Sequence, residues 1–181
     1  MGVLVNRMVR AAKLDPTLYE EVVGDPKTFG HGVWAVGFFS IAAGFGTFSQ
    51  AGATAVNICT ISTLIAWYIW AFTTFYIGTR FFREPETRMD RKAVMRVMAF
   101  ACAPGILRIL GLYPAITMLV VIVTTLWTLV AAVVGVKRAL NISSTVRAAG
   151  IVIVSWIPAT FFQLILIVAM FSAFKLTRPY P

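Results

Sequence analysis

Residues 113–136 read YPAITMLVVIVTTLWTLVAAVVGV, 24 residues without a Lys, Arg, His, Asp or Glu. A helix needs about 20 apolar residues to cross the hydrocarbon core of a bilayer. The stretch is long enough to span and carries nothing that lipid would reject. Pro114 opens it, and Lys137 and Arg138 close it. Working outward, residues 148–174 form a second uncharged run, with Pro158 near its middle. Three more segments precede it, at about 32–50, 53–78 and 94–111. The third span, 94–111, is the weakest, because only eleven uncharged residues separate Arg96 from Arg108 and they include Pro104-Gly105.

Bulk composition agrees. The chain is 59% hydrophobic and 13% charged, against about 25% charged residues in a soluble domain, and its mean hydropathy is +0.84. The expected fold is an all-α membrane protein, a bundle of about five transmembrane helices joined by short connections, preceded by an interfacial amphipathic helix. The expected organisation is a charged-side helix and turn over residues 1–30, a five-span membrane domain over 31–174, and a short outer tail over 175–181.

Charge sets the expected orientation. Of sixteen Lys and Arg, thirteen fall on one side of a five-span layout: the N-terminal segment, the 80–96 connection and the Lys137–Arg147 connection. By the positive-inside rule the N-terminus is cytoplasmic and the C-terminus outside. All seven acids fall on that same side. A four-span layout, with 94–111 re-entrant, would move Lys137, Arg138 and Arg147 outside. The net charge of +9 suits anionic lipid rather than nucleic acid, because the cations sit between apolar runs and form no stripe with interleaved aromatics.

Residues 1–14 place Arg7, Arg10 and Lys13 at three-residue spacing and Leu4, Met8, Ala11 and Ala12 at three and four. This pattern is an amphipathic helix that lies in the interface and meets anionic headgroups. An ordinary helix packed on the ends of the spans is the alternative. Asp15-Pro16 ends it. No cleavable signal peptide is expected, and Asn6 breaks the myristoylation pattern that Gly2 would begin.

Chemistry-bearing residues are few. Arg108 is the ionisable residue inside a span. Its place six residues before Pro114 favours a side chain that snorkels to the outer headgroups, over a bond to a neighbouring helix or a role in binding or transport. His31, the single histidine, reads as an interfacial polar residue and only weakly as a ligand for a partner's haem or chlorophyll. Cys59 and Cys102 read as buried thiols. Thr117, Thr124 and Thr128 share a helix face, and with Asn57 and Gln163 they are candidates for interhelical hydrogen bonds. Ser40-x-x-x-Gly44 and Ala42-x-x-x-Gly46 permit close helix approach. Pro104 and Pro158 should bend or interrupt their helices. No nucleophile has a base at motif spacing, so no catalytic residue, metal site or cofactor is expected, and lipids are the expected ligands.

With these residues in hand, the chain resembles the Yip family of multispan membrane proteins, named for interaction with Ypt/Rab GTPases. The likeness is carried by Leu14-Asp15-Pro16, Tyr19-Glu20-Glu21-Val22 and Asp25-Pro26 before the first span, and by the five-span layout. The short third span with Ala101-Cys102-Ala103-Pro104-Gly105, and Ile157-Pro158 in the last span, add to it. The compact form resembles prokaryotic members. The resemblance implies a non-enzymatic protein of a plasma membrane that organises lipid or partner proteins. Two other functions fit the residues: an accessory subunit of a larger membrane complex, bioenergetic or photosynthetic, held through helix faces, and a small-solute or lipid transporter.

Overall fold

The structure is a computed structural model that describes residues 2–82, 86 and 90–177. Expectations for Arg83, Glu84, Arg88 and Arg178 lie outside those residues. Seven α-helices occur among the described residues: α1 (Gly2–Ala12), α2 (Pro16–Gly24), α3 (Phe29–Phe45), α4 (Phe48–Arg80), α5 (Arg91–Ala101), α6 (Thr117–Ala139) and α7 (Thr145–Thr177). A 3-10 turn, Pro26–Thr28, leads into α3, and a 3-10 segment, Ala103–Leu112, continues α5.

Five of these stretches are long and apolar enough to cross a membrane: Pro26–Phe45, Gly52–Arg80, Arg91–Leu112, Pro114–Ala139 and Thr145–Ala173. The third has the reach. Eleven α-helical residues at ~1.5 Å and ten 3-10 residues at ~2.0 Å cover about 36 Å, more than the ~30 Å hydrocarbon core. It is also the centre of the bundle. Its apolar window is 67% buried, against 22–44% for the other four, and it packs against α1, α2, α3, α4 and α6. The segment that looks weakest in sequence can carry two arginines and a Pro-Gly break because protein, not lipid, surrounds it.

Local sequence explains the element ends. Asp15 accepts a hydrogen bond from the Thr17 N–H at 2.9 Å and caps α2, with Pro16 in its first turn. Asp25 caps the 3-10 turn from the Lys27 N–H, and Asp90 caps α5 from the Lys92 N–H, both at 2.9 Å. Each short side chain satisfies an amide that the helix cannot. Gly52 breaks α4 with φ +70 and ψ −169, a conformation open only to glycine, and so turns the chain between the first two spans. Pro104 starts the 3-10 segment, an interruption as expected. Pro158 does not interrupt its helix: α7 runs through it.

The core gathers at the end where α5 begins. Leu18, Tyr19, Val22, Val94, Val97, Met98, Phe100 and Val136 are fully buried there. Tyr19 and Val97 close over Gly135, where a Cβ would overlap Val97 Cγ1 and stand 3.0 Å from the Tyr19 ring. At the far end α3 and α4 meet through Gly44, whose Cβ position is occupied by Val56 O and Thr60.

Candidate functional site

Two constellations hold the polar residues of this bundle. The first ties α1 and α2 to the charged end. Arg7 donates through Nε and Nη2 to Glu21 Oε1 at 2.9 and 2.7 Å, and through Nη1 to His31 Nδ1 at 2.7 Å. Arg10 donates to Asp15 Oδ2 at 2.8 Å, Glu21 Oε2 at 2.9 Å and Thr17 Oγ1 at 3.0 Å. Glu21 is thus held between two guanidiniums, which keep its carboxyl below the usual range, Arg7 contributing most. The bond from Thr17, then that from Arg10, lowers Asp15 to about 2. Arg10 is raised in turn by Asp15 and then Glu21. The basic face expected to meet headgroups therefore meets the chain's own acids at Arg7 and Arg10, and only Lys13 of the three is exposed. His31 accepts from Arg7, a group with no acceptor atom, so its Nδ1 is engaged within the chain.

α2 is held from below and above. Glu20 pairs with Arg138 of α6 at 3.0 Å. Tyr19 is buried, its hydroxyl donating to Ala11 O at 3.4 Å, and burial pushes its phenol up. Arg96, 3% exposed, donates from Nε to Val22 O at 2.9 Å and from Nη2 to Val23 O at 2.8 Å. It closes the last turn of α2, where unpaired carbonyls and the negative end of the helix dipole favour a cation. Sequence reasoning counted Arg96 only as an orienting charge. Beside α1 lies a groove lined by Val5, Val9, Phe38, Ile41, Leu107 and Trp127, and the Trp127 indole donates to Ala12 O at 2.8 Å.

The second constellation surrounds Arg108. Its guanidinium does not run to the outer end as expected. It turns inward, Nη2 donating to Thr125 Oγ1 at 2.8 Å and Nε to Thr124 Oγ1 at 3.3 Å, 5.1 Å from the Phe39 ring centre. Thr124 lies seven residues into α6, roughly 10 Å along its axis. The cause is the 3-10 segment, which aims Arg108 at α6 rather than along the bundle. A cavity of about 60 Å³ lies next to it, between α4, α6 and α7.

The other two expected interhelical groups, Gln163 and Asn57, divide. Gln163 donates to Thr63 Oγ1 at 3.2 Å, joining α4 to α7, and the Thr74 and Ser155 hydroxyls, not expected as a pair, bond at 2.8 Å between the same helices. Trp70, buried, donates to Val152 O at 3.4 Å. Asn57 is exposed and makes no such bridge. Cys59 and Cys102 are unpaired thiols, Cys102 fully enclosed. Among the described residues, no group of three or more His, Cys, Asp or Glu could hold a metal.

Five spans, no strand among the described residues and polar side chains spent on joining helices define an all-α multispan membrane protein. The Yip1 domain family model matches residues 14–171, which is most of the chain, and the chain belongs to that family. No curated protein and no solved structure matches it. The match begins at Leu14, so the Asp15-Pro16 cap, Tyr19 and Asp25-Pro26 fall within it and α1 does not.

Proposed function

We propose that this Yip-family protein is a non-enzymatic organiser of membrane lipid, seated in a prokaryotic-type plasma membrane with its N-terminus cytoplasmic and its C-terminus outside. The observation that carries the reading is α1. Its polar face is locked to α2 by Arg7 and Arg10, while Val5 and Val9 stay exposed along the groove with Phe38 and Ile41. A helix fixed with apolar side chains unpartnered at the charged end of a bundle offers a seat for acyl chains, and Lys13 adds a cation for anionic headgroups.

The test is electron spin resonance of chain-labelled phosphatidylglycerol in reconstituted vesicles. Val5→Asp with Val9→Asp puts two charges into the groove and should release motionally restricted lipid. An unchanged restricted fraction per protein refutes the reading. A reporter fused to the C-terminus and found inside would overturn the orientation. A stoichiometric complex that survives mild detergent would replace lipid organisation by the accessory-subunit reading.

A further inference from the structure

We infer that Arg108 and the side chains around it form an intramembrane binding site for a lipid with a compact oxyanion head, a phosphate monoester such as phosphatidate. The site is separate from the α1 groove and does not rest on it. The argument begins with unspent donors. A guanidinium carries five N–H groups, and two of them serve Thr124 and Thr125. Two more polar atoms around the same cavity are buried and unpartnered: Trp67 Nε1, which can only donate, and the Thr128 hydroxyl, whose residue is 7% exposed. The Gln163 amide and Thr160 complete the polar wall. Buried donors without acceptors in an apolar slab call for an acceptor from elsewhere.

Charge makes the same demand. No Asp or Glu lies in any of the segments 32–50, 53–78, 94–111, 113–136 or 148–174, so no side chain of the bundle core neutralises Arg108. An intramembrane arginine without a carboxylate is matched by an anion, and its forked geometry suits the oxygens of a phosphate.

The surroundings choose among anions. Arg108 opens sideways into a cleft of about 500 Å³ between α6 and α7, walled by Val121, Ile122, Leu126, Leu164 and Ile167. Acyl chains fit that wall and a free ion does not need it. The narrow part beyond the arginine, about 60 Å³, suits a terminal phosphate better than a diester whose phosphate bears a second alcohol such as glycerol, choline or inositol. A second opening of about 150 Å³ leads from Arg108 past Thr47, Cys59 and Thr117 at the far end of the bundle. It offers a route for a soluble anion, so the experiment separates the two sources.

The whole protein is placed in nanodiscs of phosphatidylcholine containing equal small fractions of phosphatidate, phosphatidylglycerol and oleate, and retained lipid is identified by native mass spectrometry. The expected result is retention of one phosphatidate in preference to phosphatidylglycerol by about tenfold, as the loss of a charge-assisted pair implies. Arg108→Gln should abolish the preference, and Arg108→Lys should keep part of it. Thr128→Val and Trp67→Phe each remove a donor while leaving the arginine, and each should weaken retention about threefold. They carry the test if Arg108→Gln does not fold. Equal retention of all three lipids, or retention unchanged in Arg108→Gln and Thr128→Val, overturns the site. Preferred retention of oleate overturns the phosphate head. Millimolar inorganic phosphate that shifts the tryptophan emission while no lipid is retained overturns the lipid source.

Discussion

Replacing Arg96 by Met should release α2 from the bundle while leaving the spans assembled. The arginine donates two hydrogen bonds, to Val22 O at 2.9 Å and Val23 O at 2.8 Å, from a site 3% exposed. Methionine fills much of the space and donates nothing. Val22 O keeps a 3.4 Å bond from the Thr28 hydroxyl, so the loss is chiefly one unpartnered carbonyl, that of Val23, at about 1–3 kcal/mol. Removing a buried cation returns part of that, since its desolvation no longer has to be met, so a net loss of about 1–2 kcal/mol is expected. At tenfold per ~1.4 kcal/mol, the population with α2 undocked rises roughly 5- to 30-fold. Leu18 is fully buried in α2, so maleimide labelling of Leu18→Cys reports that population directly. The rate should rise by the same factor in Arg96→Met and less in Arg96→Lys, which keeps the charge but not the fork. Asp90→Ala is the control. It removes the α5 cap and the 3.8 Å contact of Asp90 with Arg96 but neither carbonyl bond. A labelling rate in Arg96→Met within threefold of the parent would refute the reasoning.

Two further outcomes follow from the same end of the molecule. Gly135→Ala gains up to ~1 kcal/mol of helix propensity but forces a methyl into Val97 and the Tyr19 ring; overpacking of about 1–3 kcal/mol should prevail, seen as a lower melting temperature in detergent, and Val97→Ala should restore part of it in a double-mutant cycle. Acid should free α1. Asp15 and Glu21 are both held below their ordinary values, so their contribution is fully present above the usual carboxylate range of about 4 and is lost as pH falls toward the value of about 2 for Asp15. Tryptic cleavage at Lys13, pulsed after incubation at each pH, should be flat from pH 7 to about 4.5 and rise below it; a rise already at neutral pH would refute the lock.

The spans were legible because lipid imposes one simple demand, a length of apolar chain, and four of the five segments meet it openly. The third was legible only in part. Its sequence breaks that demand at Arg96, Pro104 and Arg108, and its neighbours relieve it, which no single-segment reading contains. The aim of Arg108 was hidden for a geometric reason. A 3-10 helix turns about 120° per residue against about 100° for an α-helix, so five residues from Ala103 to Arg108 shift its facing by about 100°. Thr124 and Thr125 were visible as polar residues of α6 but not as its partners. The pairing of Arg7 and Arg10 with Asp15 and Glu21 was missed because orientation rules weigh Lys and Arg and pass over the acids beside them. The caps at Asp15, Asp25 and Asp90 went unread, although each is a short-range device written within three residues.

Tyr19 packs against Gly135, and the chain is made from the other end. Synthesis at about 5–20 residues per second places roughly 6–23 s between the emergence of the two. For most of that interval Leu18, Tyr19 and Val22 lack the α5 surface, and until its end they lack the full α6 surface, that later enclose them. The N-terminal segment is therefore made first, and its buried face is complete only once the fourth span is in place.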